Sequence, residues 1–201
     1  MSQDFKYKNL MLSPHLISKV MLFGLFVMLI IAVFADFKVR KIPNTVVLYG
    51  LLFSLVFQFI SSGTQGGLSW ILGVSLGFSC FIPLYLLRAM AAGDVKLMMA
   101  VGGFIGYPLV LKAALYSYLV GGVIAIAYVL FKGRIKLLIQ NFYSLLLNLF
   151  IQATSKLNVY DGLVIKQSVG QLPFALAIAA GTLLALFLNT AGSDLILNVK
   201  N

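Results

Sequence analysis

Glutamate is absent from this sequence, and the only acids are five aspartates: Asp4, Asp36, Asp94, Asp161 and Asp194. There is one histidine, His15, and one cysteine, Cys80. A single cysteine cannot close an internal disulfide, and Cys80 sits inside an apolar run where it reads as a small packing residue. A zinc site draws three or four His, Cys or carboxylate ligands, and no HExxH-type pair exists, so no metal and no metal-dependent hydrolysis is expected. A Ser-His-Asp triad would have to recruit His15 from a polar N-terminal segment. No GxxxxGK[ST] loop is present to cradle a phosphate, and nothing points to a cofactor. A Ser-Lys dyad stays open by inventory, although no spacing singles one out.

Charge of any kind is scarce, at 10% of residues against the ~25% of soluble domains. What fills its place is apolar: 61% of the chain, with mean hydropathy +1.03. Such a chain is an all-α integral membrane protein. The reading is one membrane-embedded domain over 1–201, a bundle of about six transmembrane helices plus one amphipathic interfacial helix. The net charge of +10 does not indicate nucleic acid, because Lys and Arg stand singly or in threes beside apolar runs. There they act as topology signals and contacts for lipid headgroups. The first apolar run, Val20–Ala35, ends without a small-x-small cleavage pattern and is read as a retained first helix rather than a signal peptide.

Residues 1–19 form a polar N-terminal segment, and a first span over Val20–Phe37 carries Asp36 at its exit. Lys38, Arg40 and Lys41 mark that exit as cytoplasmic. Ile42-Pro43-Asn44 predicts a break and a fresh helix start. No charge occurs from Thr45 to Leu87, and Ser61–Gly67 is the turn between two spans, about 45–60 and 68–88. Gly73 and Gly77 have the small-xxx-small spacing that lets helices approach closely. A short fourth span over about 95–106 suits a helix sheltered by its neighbours, and a fifth runs over about 109–131. Segment 132–167 is cytoplasmic. In it Lys136, Gln140, Ser144, Asn148, Gln152 and Lys156 recur every fourth residue, the stripe of an amphipathic helix lying in the interface or of a tilted span with a polar seam. Leu172–Leu188 is a last span, and Asn189–Asn201 an outer tail. This orientation puts ten cations inside against five outside.

Two of the five aspartates then command attention. Asp36 closes the first span and Asp94 opens the fourth, so both reach the inner face, where an ionisable group at membrane depth is a functional candidate. Two carboxyl groups brought close in a poorly solvated site cannot both ionise easily. One can act as base on a water while the other, holding the proton, polarises a peptide carbonyl. The bland alternatives are that Asp94 is an N-cap and that Asp36 is a border charge paired with Lys38 or Arg40. Asp161 and Asp194 fall in loop-like stretches and Asp4 in the N-terminal tail.

Asp36 with the following Lys38-Val39-Arg40-Lys41 and Ile42-Pro43-Asn44, together with Gly93-Asp94-Val95-Lys96-Leu97, resembles the type IV prepilin peptidases, membrane aspartic proteases of the GxGD type. Within them the chain is most similar to the short, peptidase-only members that serve Flp or tight-adherence pili. Gln171–Gly181 is similar to their last helix. The resemblance implies that Asp36 and Asp94 are the catalytic pair and that Gly93 permits close approach at the second. Pro43, Asn44 and Lys96 are the accompanying motif residues. It implies removal of a short basic leader from a prepilin at the cytoplasmic face of a bacterial inner membrane, with the prepilin and lipids as partners. No N-methyltransferase activity is expected, because the extra cytoplasmic domain of the bifunctional members has no counterpart in this sequence. Ala91 stands where the family motif has its first glycine. The competing functions are a small proton- or cation-coupled transporter relaying through the same two aspartates, and an inactive pilus-assembly scaffold.

Overall fold

The computed structural model describes residues 14–87, 90–131 and 174–199, with backbone alone at 14, 15, 129 and 191–199. Arg88, the 132–167 segment with its polar stripe and Asp161, residues 171–173, and the side chains of His15 and Asp194 lie outside the described residues. Five helices account for nearly all of the described chain, and no strand occurs there: α1 (Pro14–Val39), α2 (Asn44–Leu86), α3 (Ala92–Ile105), α4 (Leu109–Phe131) and α5 (Phe174–Val199). The chain divides into two compact units, one of residues 1–121 with 173–201 and one of residues 122–172.

Among the described residues three helices are long and apolar enough to cross a membrane: α1, α2 and α4. Two boundaries differ from the sequence reading. α1 begins at Pro14 rather than near Val20, because proline at a first helical position gives up only an N–H that the helix does not use. α5 continues to Val199 through what had read as a tail, since no proline interrupts it.

The 43 residues of α2 do not form one rod. At Gly63 the backbone takes φ 57°, ψ −133°, a region open to glycine and strained for any side chain. The two arms fold back on each other: Trp70 Nε1 donates to Ser54 Oγ at 2.9 Å although the residues are 16 apart, a separation that a straight helix would turn into about 24 Å. The helical hairpin expected around Ser61–Gly67 is therefore present, with its turn reduced to a single glycine. Ser54 in turn donates to the Leu51 carbonyl at 3.0 Å, and Gln58 Nε2 donates to the Phe104 carbonyl at 3.4 Å, so Ser54, Gln58 and Trp70 are all partnered.

α3 is the element the others enclose. Its 14 residues span about 21 Å, short of a ~30 Å hydrocarbon core, and nine of them are buried. A helix that short is shielded by protein rather than lipid, as its length implied. It packs chiefly on α2. Leu97, Met98, Ala100 and Val101 are fully enclosed and meet Leu25, Met28, Leu29 and Ala32 of α1, Phe81 of α2 and Ile178 of α5 in one apolar core. Outward, Phe23, Phe34, Tyr49, Leu119 and Phe187 are more than half exposed, a surface suited to acyl chains rather than water.

Glycine sets how closely α3 sits. Gly73 of α2 and Gly102 of α3 face each other so tightly that a Cβ on either would run into the other's carbonyl. One turn along, a Cβ on Gly77 would stand 2.5 Å from the Met98 carbonyl oxygen. The small-xxx-small spacing seen in the sequence is thus a backbone-to-backbone seam, and it fixes the depth of the helix that carries Asp94.

Candidate functional site

The ends of four helices converge at the C-terminal end of α1. Asp36 lies in the last turn of α1, and α1 stops because Arg40 adopts a left-handed conformation (φ 53°) while donating its N–H to the Asp36 carbonyl at 2.9 Å. This closes the final turn. The chain bends at Arg40 and Lys41 and is non-helical through Pro43, which is extended at φ −62°, ψ 129° just ahead of α2, so the break expected at Ile42-Pro43-Asn44 is present. Ile42 is buried in this turn and acts as its anchor, while Pro43 and Asn44 stay exposed on the rim.

α3 starts against the same anchor. Gly93 is its second residue, and a Cβ there would come within 3.3 Å of the Ile42 Cβ, so only hydrogen fits comfortably between them. Asp94 follows as the third residue. It is not the N-cap that one reading of the sequence allowed: Ala91 occupies that position and Asp94 reaches back, accepting the Ala91 N–H on Oδ2 at 3.3 Å. Ala91 itself has φ −81°, ψ 151°, ordinary extended backbone, and is exposed. The alanine in place of the motif glycine therefore fits without strain. Lys96, one turn into α3, extends along the rim and donates from Nζ to Asn44 Oδ1 at 3.0 Å, tying the start of α3 to the start of α2.

Both carboxyl groups turn inward. Asp36 is 8% exposed and Asp94 6%, whereas Lys38, Arg40, Lys41 and Lys96 are exposed. The border-charge reading of Asp36 does not describe its setting, since its carboxyl is enclosed while those neighbouring cations face outward. Burial pushes the Asp94 carboxyl up to about 6, the nearby Asp36 pushes in the same direction, and the Ala91 N–H partly offsets both. That Asp94 senses Asp36 at all means that residues 58 positions apart in sequence share one electrostatic site. Among the described residues no three His, Cys or acidic side chains are grouped to hold a metal ion.

One participant had no counterpart in the sequence reading. Ala175, the second residue of α5, donates its backbone N–H to Asp36 Oδ2 at 3.1 Å. Gln171–Gly181 stood out only for its likeness to a family helix. No residue type marked this contact in advance: the first N–H groups of any helix lack an intrahelical acceptor and must find one elsewhere. Of the residues singled out beforehand, the structure thus brings together Asp36, Pro43, Asn44, Gly93, Asp94 and Lys96, with the two aspartates enclosed and Pro43, Asn44 and Lys96 on the rim.

No curated protein and no solved structure matches the chain. A family does. Residues 23–126, which run from α1 into α4 and contain both buried aspartates, match the Type IV leader peptidase family. On that match, covering just over half of the sequence, and on a membrane-type helical fold that encloses two carboxyl groups at one end, the chain belongs to the type IV leader peptidase family.

Proposed function

We propose that this protein is a membrane aspartic endopeptidase in which Asp36 and Asp94 share one proton and cut the short basic leader from a type IV, Flp-like prepilin. The observation that carries the reading is the enclosure of these two carboxyl groups, from separate helices, within electrostatic reach of each other. In the reaction the ionised carboxyl takes a proton from a water, whose oxygen bonds to the carbonyl carbon of the scissile peptide. The protonated carboxyl gives its proton to the carbonyl oxygen. Collapse of the tetrahedral intermediate breaks the C–N bond and returns a proton to the leaving nitrogen, which yields a carboxylate and a free amine. No metal or covalent intermediate is required.

The rim supports a cytoplasmic location for the chemistry. Lys38, Arg40, Lys41 and Lys96 are all exposed around the site, the distribution that the positive-inside rule associates with the cytoplasmic face of an inner membrane. With α2 doubled at Gly63, the described helices supply six helical segments, in keeping with a bundle of about six crossings in which α3 is the sheltered one. A peptide substrate must offer an extended backbone, because helical carbonyls are occupied, and the non-helical stretches 40–43 and 90–91 border the site where such a strand would lie. The relaxed backbone at Ala91 argues against an inactive scaffold.

The test is cleavage of a synthetic leader-bearing peptide by the purified protein in detergent or liposomes. The reaction needs the proton that Asp94 holds up to about pH 6, so kcat/KM should fall as pH rises beyond that value, towards tenfold per unit. Absence of cleavage between pH 5 and about 8, or a rate that rises steadily with pH across that range, overturns the reading.

A further inference from the structure

The family match ends at residue 126, yet one of the four helix ends at the site belongs to α5, which begins at Phe174. We propose that the first turn of α5 is part of the peptidase apparatus: the Ala175 backbone N–H holds the Asp36 carboxyl in the position from which it works with Asp94, which makes Ala175 a positioning residue. This rests on the endopeptidase reading of the same site.

Three features of α5 carry the proposal. First, the second N–H of a helix has no intrahelical acceptor, and at a residue with 0% exposure it must be met by another part of the protein. Asp36 Oδ2 meets it, across 139 residues of sequence. Second, the arrangement is doubled, since Asp94 Oδ2 takes the Ala91 N–H at the start of α3. Each carboxyl is held on one oxygen by the backbone at a helix start, and among the described residues no other hydrogen bond reaches either group. A backbone donor cannot rotate away or change its protonation, so it fixes a short side chain more firmly than a serine or lysine would.

Third, α5 is itself seated. The Phe174 ring stands edge-on to Phe81 with centroids 6.2 Å apart and lies over Gly121, where any Cβ would collide with it. Farther along, Gly181 brings α5 against the backbone of α4 at Ser117, a contact that a side chain would block. Two anchor points fix where the Ala175 N–H sits, and catalytic groups need to be held to within about 0.5 Å.

Ala175→Pro deletes the donor at a position where proline is tolerated, and Ala175→Ser keeps it in a side chain of similar size. With purified protein and a leader peptide, Ala175→Pro should lower kcat on the order of ten- to a hundredfold with KM within about twofold of the parent, and Ala175→Ser should stay within about twofold in both. Retention of the parental kcat by Ala175→Pro, or an equal loss in Ala175→Ser, overturns the proposal and leaves the endopeptidase reading standing. A parent that cuts no leader overturns that reading instead. Should Ala175→Pro fail to fold, the amide resonance of Ala175 in 15N-alanine-labelled protein decides: it should move upfield in Asp36→Ala, and an unchanged resonance refutes the contact.

Discussion

Asp36→Asn and Asp94→Asn should each reduce cleavage of a co-expressed leader-bearing precursor by about a thousandfold or more, while the protein stays folded in the membrane. The size follows from the chemistry. Asparagine has the shape of aspartate and retains an oxygen that can accept the Ala175 or Ala91 N–H, so the helix starts keep their partners. What it cannot do is take a proton from water or share one with a second carboxyl. Groups that act as a unit lose their function together, and the double variant should therefore be little worse than either single one. Mass spectrometry of the precursor, with immunodetection of the enzyme in the membrane fraction, reads both halves. A single variant that cuts at a parental rate removes the paired mechanism.

The second large effect is on the seam that sets the depth of α3. Gly73→Val places branched side-chain atoms where the Gly102 carbonyl now lies, and Gly102→Val does the same in reverse. Backbone cannot step aside as a flexible side chain can, so overpacking here should cost at least the ~1–3 kcal/mol of a crowded core, and α3 would be displaced together with Asp94. Expected results are a marked fall in the thermal transition in detergent and loss of cleavage. Gly122 on α4 is the control: a Cβ there meets nothing within 4 Å, and Gly122→Ala should be neutral or gain up to about 1 kcal/mol from helix propensity. Equal transitions for all three variants would show that the seam is loose.

Much of this site was legible because the sequence is so poor in charge. With five acids in 201 residues, two of them at the borders of apolar runs, Asp36 and Asp94 could be paired before any fold was known. The break at Pro43, the shelter of the short α3 and the close approach at Gly73 also follow from local chemistry, namely proline sterics, helix length and the missing Cβ. The start of α1 and the end of α5 did not, because a polar flank is compatible with helix as well as with loop: Pro14 suits a first helical position but does not demand one, and Gly192 lowers helix propensity without ending the helix. The Ala175 N–H was invisible for a deeper reason: every residue carries the same backbone donor, and only the fold shows which one meets Asp36. The orientation of the Asp94 carboxyl was likewise ambiguous, since an aspartate three residues into a helix and one at its N-cap look nearly alike in sequence.

The claim on which the rest depends is that the Asp36 and Asp94 carboxyl groups belong to one site. Because the chain has five aspartates and no glutamate, 13C labelling of aspartate carboxyl carbons gives a spectrum of five signals, assignable with single Asn variants. The account predicts that the Asp94 signal titrates near pH 6 and that its midpoint falls towards the ordinary carboxylate range in Asp36→Asn, where the neighbouring charge is gone. An Asp94 midpoint that does not move when Asp36 is replaced would contradict it.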